Sequence, residues 1–455
     1  MNLLILILFL HLSSITAGEE RCEAVGSIYD LCKIGNVVTR LVEISSSEWY
    51  TDPLPLIFFD NATIKANALS KTNIKSLKLE SIFSWSEEHQ DIFTLFLESK
   101  SLASSTLSSL YLRNINLNLT EGRLEGLNAV TKLTIENSWT NKLPTELFPF
   151  FPNLQELIIY HHRLPVIPAQ SFVHLKALKH LKIQGYTLRE PPVITRLEPG
   201  CLDGLENLEK LTVLLMILES LPPVFDQLTN LKSLKLSHCH NSPTIDARIF
   251  QNLSTLTDLE LSFGRLETLE RGIFENLPHL KTIKLKQNHL TTIPHGLFNG
   301  LTELETINLD HNNISMIKTG AFSGLNLNLL KMCYTFSRKG VEFEPGAFNG
   351  LTVVELDLTI NSLSHLSPKT FDGLNATTVD LKINDLTKIK ADYFFGLETK
   401  NLDLSYNKLE EIEPLSFKYT QIQFLNLTSN MIKYGNKSVW GLDETVEVVG
   451  VGVLG

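Results

Sequence analysis

The chain has little cysteine, no long apolar run beyond its amino terminus and no recognisable catalytic motif. Five cysteines in 455 residues are too few for a fold built on disulfides. After the first residues, no stretch reaches the ~18 apolar residues that a membrane-spanning helix needs. GxSxG, Walker, HExxH and dinucleotide-binding patterns are missing from the sequence, so we predict neither an enzyme nor a cofactor. The net charge of -10 argues against nucleic acid as a partner.

Residues 1–18, MNLLILILFLHLSSITAG, contain no Lys, Arg, Asp or Glu. An almost continuous apolar run from Leu3 to Leu12 precedes small residues, and Thr16 and Gly18 have the spacing that a signal peptidase accepts. The pattern predicts a secretory signal peptide, although no basic residue precedes the run. A buried amino-terminal strand is the alternative. We therefore expect a secreted, extracellular protein.

One motif, L-x-x-L-x-L-x-x-N, recurs through most of the chain. Clean copies are LKTIKLKQN (280–288), LETINLDHN (304–312), VVELDLTIN (353–361), ATTVDLKIN (376–384), TKNLDLSYN (399–407) and IQFLNLTSN (422–430). Less regular copies begin at Ile74, Leu107, Val130, Leu154, Leu178, Leu208, Leu231, Leu256 and Leu327. Most of these fifteen starts lie 23 to 26 residues apart. The step of 33 residues after Ile74 leaves room for an irregular copy around Leu95 and Leu97.

Each copy predicts one short strand followed by a turn. Successive strand side chains point to opposite faces, so the leucines face inward and the intervening residues outward. The Asn side chain can satisfy backbone groups in the turn. The second half of the unit, as in LTTIPHGLFNGL (290–301), supplies Phe and Leu that pack beneath the strand. Because only a stack of units can bury these faces, we predict an α/β repeat solenoid with a parallel β-sheet on its concave face and irregular or short helical segments on its convex side.

The half-motif with Phe and Gly-Leu resembles the typical leucine-rich repeat of animal extracellular proteins, and the resemblance covers about residues 74–430. Proteins of this kind include Toll-type receptor ectodomains, chaoptin-like adhesion proteins and secreted invertebrate immune repeat proteins. The resemblance implies a horseshoe that binds partners, with an amino-terminal cap in residues 19–73 and a carboxyl-terminal cap or tail in residues 431–455. Cys22 and Cys32 of the first cap are close enough to form a disulfide in a secreted protein. Many relatives carry four cysteines there.

The other three cysteines fall at repeat positions. Cys201 of EPGCLDGL occupies the small Ala position of EPGAFNGL, and Cys239 occupies the Asn position of its repeat, so both are predicted to be buried thiols. Cys333 falls at an outward strand position, where it is a candidate for an intermolecular disulfide in a homodimer or heterodimer, or a free thiol without consequence. The sequence HCH (238–240) predicts no metal site, because three adjacent residues do not readily converge on one tetrahedral ion.

Seven N-x-S/T sequons are predicted glycosylation sites of a secreted protein. They are Asn61, Asn118, Asn252, Asn313, Asn375, Asn426 and Asn436. Among the outward strand positions only Asn426 carries one. The concave face would then be almost free of glycan, as a binding surface would be, although strand positions also seldom match a sequon by chance.

The outward strand positions give the candidate ligand contacts. They are Tyr111, Arg113, Lys132, Tyr160, His180, Lys182, Lys210, Lys235, Asp258, Glu260, Lys284, Lys286, Asp310, Glu355 and Asp357. Outward positions of the six repeats from Leu107 hold five basic and two acidic residues, and those of the eight repeats from Leu256 hold four basic and seven acidic ones. This mixture favours a protein partner over a polyanion, although a solvated face is also often charged. Tyr111, Ile158, Tyr160 and Leu214 are the candidate anchors.

The leading hypothesis is a secreted protein that captures a protein or microbial ligand on its concave face, and the resemblance implies a role in defence. The first alternative is an adhesion or matrix protein. It would be attached to the membrane only if its tail, VEVVGVGVLG, were cleaved and a lipid anchor added. The second is a non-catalytic carrier subunit of another secreted protein. The 30-residue repeat beginning at Leu178 adds a loop, REPPVITR (189–196), which could bind or could be a tolerated insertion.

Overall fold

The computed structural model divides into two compact units, unit 1 (Met1–Met216) and unit 2 (Ile217–Gly455). The residues that the structure describes are 21–25, 29–34, 37–43, 54–58, 62–64, 67–68, 73–81, 93–98, 100–103, 106–119, 125–137, 142–162, 164–185, 194–218, 224–239 and 242–454. The predicted signal peptide therefore lies outside the described residues.

Almost all regular structure in the described part is β-strand. The strands of unit 1 are β1 (Arg21–Val25), β2 (Tyr29–Ile34), β3 (Val37–Glu43), β4 (Leu54–Phe58), β5 (Ala62–Ile64), β6 (Ser76–Ser81), β7 (Phe93–Leu97), β8 (Ser109–Arg113), β9 (Ile115–Leu119), β10 (Lys132–Glu136), β11 (Glu156–His162), β12 (Val166–Ile167), β13 (His180–Gly185), β14 (Ile194–Leu197) and β15 (Lys210–Leu214).

The strands of unit 2 are β16 (Ile217–Leu218), β17 (Ser233–Ser237), β18 (Asp258–Ser262), β19 (Thr282–Lys284), β20 (Thr292–Ile293), β21 (Thr306–Asn308), β22 (Met316–Ile317), β23 (Asn326–Lys331), β24 (Glu342–Phe343), β25 (Thr352–Asp357), β26 (Asn375–Asp380), β27 (Lys388–Ile389), β28 (Glu398–Asp403), β29 (Glu411–Ile412), β30 (Gln421–Asn426), β31 (Tyr434–Asn436), β32 (Glu447–Val449) and β33 (Gly452–Leu454). Helical turns are the 3₁₀ helices Thr145–Phe150 and Ala247–Phe250 and the α-helix α1 (Lys437–Trp440).

In unit 1 the repeat strands form one parallel sheet in the order β4-β6-β8-β10-β11-β13-β15. Corresponding leucines of the motif lie opposite each other, as Leu110 does to Leu133. The sheet begins with β4, within the residues that the sequence assigns to the cap. Strands β6 and β8 pair directly, whereas β7 pairs with β5 and β9 in a second sheet. The idea of an irregular copy around Leu95 and Leu97 is therefore wrong for the main sheet.

The amino-terminal strands β1 and β2 are antiparallel, and Cys22 lies directly opposite Cys32 in their register. Strand β3 pairs antiparallel with β2. The side chains of both cysteines lie outside the described residues, so the disulfide stays a prediction. The register nevertheless brings the two backbones to the separation of neighbouring strands.

In unit 2 the main parallel sheet runs β17-β18-β19-β21-β23-β25-β26-β28-β30-β32. Its last strand, β32, pairs with β30 of the final repeat. Two-residue strands on the opposite side of the repeats pair as β20-β22-β24 and β27-β29. The expected solenoid, with a parallel sheet on one side and irregular or short helical segments on the other, is confirmed.

A spine of phenylalanine rings fills the interior behind the sheet of unit 2. Successive rings have centroids 5.5 to 6.4 Å apart. The phenylalanine spine consists of Phe250, Phe274, Phe298, Phe322, Phe348, Phe371, Phe394 and Phe417. All eight side chains are fully buried. Each ring thus packs against the next repeat, and this contact holds the stack together.

The motif asparagines form a buried hydrogen-bonded ladder next to the sheet of unit 2. Asn384 shows the pattern: its Nδ2 donates to the carbonyls of Leu358 and Leu381, and its Oδ1 accepts from the backbone N–H of Asn361 and Leu363. The Asn ladder consists of Asn288, Asn312, Asn361, Asn384, Asn407 and Asn430. The predicted role of Asn in the turn is confirmed.

Two cysteines lie in the core as the sequence predicts. Cys201 and Cys239 are both buried. Burial raises the pKa of the Cys201 thiol to about 11, so it stays protonated. In the Asn position, the Cys239 Sγ donates to the Ser237 carbonyl over 3.1 Å, as an Asn amide does in other repeats.

Candidate ligand-binding face

The outward side chains of each main sheet form a surface, here called the sheet face of that unit. The alternation is clear in β8, where Leu110 and Leu112 are buried between half-buried Ser109, Tyr111 and Arg113. Parallel sheets are normally covered on both faces. Within the described residues, the sheet face instead carries exposed polar side chains. The opposite direction is seen at Ile283 of β19, which points inward and is fully buried.

The predicted contact residues differ in accessibility. The exposed ones are His180, Lys210, Asp258, Lys284 and Glu355. The half-buried ones are Tyr111, Arg113, Lys132, Tyr160, Lys182, Lys235, Glu260 and Lys286. Asp310 and Asp357 are buried. The register thus gives the direction of these side chains correctly but not their coverage by neighbours.

On the sheet face of unit 1 the charged side chains bind one another. Arg113 lies 2.7 Å from Glu80 and 3.4 Å from Glu136. The hydroxyl of Tyr111 donates to the Glu136 carboxylate, and Lys132 pairs with Glu156 at 3.0 Å. These contacts cross neighbouring strands and hold their side chains in place.

The candidate anchor Tyr160 belongs to a second contact on this face. The Lys182 ammonium lies 4.7 Å from the centre of the Tyr160 ring and donates to its hydroxyl over 3.4 Å. Such a cation–π contact orders the aromatic ring before any ligand arrives, which lowers the entropy cost of binding. The structure brings Tyr111 and Tyr160 onto one sheet face, two strands apart.

On the sheet face of unit 2, charges are paired in the first repeats. Lys235 pairs with Glu260 at 2.9 Å, and Lys331 lies 3.4 Å from Asp310. Asp310 is buried, and its Oδ1 also accepts from the backbone N–H of Cys333. The neighbouring Asp310 carboxylate raises the pKa of Lys331. These side chains are therefore already engaged in contacts within the sheet.

Further along the same face three aspartates lie on adjacent strands. Asp357, Asp380 and Asp403 are direct register partners on β25, β26 and β28. Burial, followed by the charges of the two neighbours, raises the pKa of Asp380. Asp380 and Asp403 occur among the outward positions of the sequence, but they were not candidate contacts, because alternation alone does not distinguish a stack of like charges from a mixed row.

Cys333 is half-buried and lies two residues after β23. Burial raises the pKa of its thiol, which disfavours the reactive thiolate at neutral pH. The intermolecular disulfide stays a prediction, and this environment makes it a slow one to form.

The sequons differ in environment. Asn252, Asn313 and Asn375 are exposed. The Nδ2 of Asn426, to which a glycan would attach, donates to Asp403 over 3.0 Å. Asn436 caps α1 by accepting from the backbone N–H of Val439. The side chains of Asn61 and Asn118 lie outside the described residues.

The described residues contain no group of three or more His, Cys, Asp or Glu arranged to hold a metal ion. No helix in the described part of the chain is both long and apolar enough to cross a membrane.

Comparisons with known proteins agree on the repeat. The leucine rich repeat family model matches residues 229–290, 254–314, 278–334 and 375–432. Among solved structures, the glycosylated Toll–Spatzle complex of Drosophila is 15% identical with a TM-score of 0.56, over 92% of this chain and 69% of that chain. The TLR13–ssRNA13 complex is 20% identical with a TM-score of 0.54, over 87% and 68%.

A leucine-rich repeat protein of Leptospira interrogans is 23% identical with a TM-score of 0.46, over 72% of this chain and 86% of that chain. None of the curated proteins matches. At these identities the likeness is one of fold.

Proposed function

We propose that this chain, whose repeats match the leucine rich repeat model and whose fold resembles that of Toll, is a secreted, non-catalytic protein that captures a protein or microbial ligand on its sheet face, in innate immunity. One observation carries the proposal: each parallel sheet presents side chains on a face that would ordinarily be covered. A sheet held by buried leucines, asparagines and phenylalanines loses little entropy when a ligand binds.

The similar structures support ligand capture in general terms. In these similar structures Toll is in complex with Spatzle and TLR13 with single-stranded RNA. For this chain we propose a protein or microbial ligand, since the net charge is -10 and three aspartates line part of the sheet face of unit 2, which would repel a polyanion.

The proposal is tested with the full chain recovered from the medium of secreting cells. Defined probes are peptidoglycan fragments, lipoteichoic acid, a β-glucan, Spatzle and single-stranded RNA, measured by surface plasmon resonance. We expect saturable binding of a protein or microbial probe. Replacing the rigid aromatic anchors, in Tyr111→Ala with Tyr160→Ala, should weaken it at least tenfold, or about 1.4 kcal/mol.

The matched control is Tyr419→Ala with Tyr434→Ala, since both tyrosines are exposed and neither is on a strand of a main sheet. It should leave affinity unchanged, and both pairs should melt within a few degrees of the parent. Binding of RNA alone, retention in the secreting cells, or equal affinity of the Tyr111/Tyr160 pair and the parent would each contradict the proposal.

A further inference from the structure

In unit 2 the residue before each motif Asn, or before the residue in its place, has left-handed backbone. From Phe263 to Ser429 these residues have φ between 51° and 59°. Each is placed beside its neighbour in the next repeat, because the Ile360 N–H donates to the Lys382 carbonyl and the Ile383 N–H to the Ser405 carbonyl. The residues of this kind in four consecutive repeats, Tyr334, Ile360, Ile383 and Tyr406, are here called the edge row.

This backbone conformation suits Gly and Asn, and it is an outlier for a β-branched residue. In unit 1 the equivalent positions include Asn114 and Asn137, which follow the preference, and Leu215, which does not. Ile360 and Ile383 instead both have φ of 55°. Backbone strain of this kind persists where a functional role, such as binding, retains the residue.

Burial does not compensate for that strain. Tyr334, Ile383 and Tyr406 are 54%, 44% and 56% exposed. Their neighbours on the surface are polar or basic: His311 stacks on Tyr334 at 5.1 Å, and the Lys382 ammonium lies 5.4 Å from the Tyr406 ring centre. Three of the four members of the edge row are therefore exposed apolar side chains, and the fourth, Ile360, is half-buried.

Beside the edge row runs a row of carboxylates. The sequences DLTI, DLKI and DLSY place Asp357, Asp380 and Asp403 three residues before the last three members of the edge row. Because Asp357, Asp380 and Asp403 are register partners, the two rows run side by side across the same repeats. Like charges opposite each other destabilise a sheet.

These carboxylates are held in place without being neutralised. In each one, Oδ1 accepts from the backbone N–H two residues later, over 2.8 to 3.0 Å. Within the described residues no Lys or Arg forms an ion pair with them, in contrast to Asp310 with Lys331. Lys331 and Lys382 act on them only through their nearby charge.

We infer that the edge row and the Asp357–Asp380–Asp403 row together dock a basic amphipathic helix of a partner protein. The polar face of this helix carries Lys or Arg, which lie over the carboxylates and complement their charge. Its apolar face packs on the edge row. The ~5.4 Å pitch of a helix is close to the ~4.8 Å spacing of adjacent strands, so successive turns meet successive repeats. The inference rests on the proposed capture of ligands and assigns its partner class on unit 2.

The probe is a fluorescein-labelled 14-residue peptide of Leu and Lys with helical periodicity, titrated against the full chain by fluorescence anisotropy. Control peptides replace Lys by Glu or scramble the order of the same residues. We expect saturable binding of the Leu/Lys helix that weakens with added salt. Equal binding of the Leu/Glu or scrambled peptide, or no saturable binding, would overturn the inference.

Two variants separate the contributions. Ile360→Asn with Ile383→Asn should lower affinity at least tenfold while raising the melting temperature by about 1–2 °C, because Asn relieves the left-handed strain. Asp357→Asn with Asp380→Asn and Asp403→Asn should also weaken binding and abolish most of its salt dependence, while keeping the Oδ1 contacts.

The control is Tyr419→Asn with Val439→Asn, at exposed apolar positions outside the edge row. An equal loss of binding in the control, or no loss in either test variant, would overturn the inference. So would self-association of the parent chain that the Ile360/Ile383 variant removes, because the occupant would then be a second copy. If the Leu/Lys peptide fails while a ligand dependent on Tyr111 and Tyr160 still binds, only this inference fails and the proposed function stands.

Discussion

Each motif asparagine joins two repeats through several hydrogen bonds, three in Asn288 and Asn430 and at least four in Asn384. Asn384 donates to one carbonyl of its own repeat and one of the preceding repeat, and its Oδ1 accepts from two backbone N–H groups. A residue without an amide leaves these buried backbone groups unsatisfied, and such groups are costly. Thr335 takes the same place in its repeat and donates to the carbonyls of Leu309 and Cys333.

We therefore predict that Asn384→Ala lowers the free energy of unfolding by about 2–4 kcal/mol, since several buried groups lose partners together. Asn328→Ala, at an exposed asparagine on β23, is the control and should change it by less than about 0.5 kcal/mol. Chemical denaturation followed by circular dichroism measures both. Equal stability of the two variants would contradict the ladder.

At the scale of elements, the strands and the phenylalanine spine follow directly from the repeat pattern. Leucine spacing sets the strand and its inward face, and Phe at a fixed offset sets the spine, so both could be predicted from sequence. The pairing of β7 with β5 and β9 could not, because residues 82–92 between β6 and β7 carry no repeat. The left-handed edge row also escapes a pattern of apolar and polar positions, since that pattern does not encode the sign of φ.

The spine gives a prediction at this scale. Phe322 lies between Phe298 and Phe348 with centroid distances of 5.6 and 5.7 Å. Phe322→Ala should lower the free energy of unfolding by about 3–5 kcal/mol, through lost burial and a cavity shared by three repeats. Phe395→Ala, at a half-buried ring beside Tyr419, should cost clearly less. The same loss in both, measured by denaturant unfolding, would rule out a special role for the spine.

At the scale of the whole molecule, the amino-acid composition does not reveal how charge is distributed over the two sheet faces. The sheet face of unit 1 carries ion pairs such as Arg113 with Glu80, whereas unit 2 carries three adjacent aspartates. Alternation predicted the mixture of signs, but only the contacts distinguish neutralised charges from those left for a partner. Asp310 is buried beside Lys331 and Asp357 is buried at one end of the aspartate row, so Asp380 and Asp403 are the more accessible carboxylates for a partner.

Asp380 supplies the prediction for pH. Burial first, and then the charges of Asp403 and Asp357, raise its pKa in the folded protein. The folded state therefore binds this proton at higher pH than the unfolded state, so ionised Asp380 costs stability at neutral pH and the cost is relieved as the pH falls through the raised pKa. Asp380→Asn should raise the melting temperature at pH 7 and leave it nearly unchanged near pH 4.

Thermal melts between pH 7 and pH 4 measure this difference. Asp226→Asn, at an exposed carboxylate of unit 2, is the control and should shift neither end. A lower melting temperature for Asp380→Asn at pH 7 would mean that the carboxylate stabilises the sheet instead of straining it.

The edge row has a consequence for how this protein could change over evolutionary time. Three of its four side chains are exposed, and the backbone N–H groups of Ile360, Ile383 and Tyr406 donate to the next repeat. A ladder asparagine, or Thr335 in its place, comes next in the chain and fixes the turn. A substitution in the edge row therefore alters what the surface recognises at almost no expense to folding, and any change toward Asn or Gly improves folding. New specificities could accumulate there one repeat at a time, while the asparagines and phenylalanines behind them stay constant.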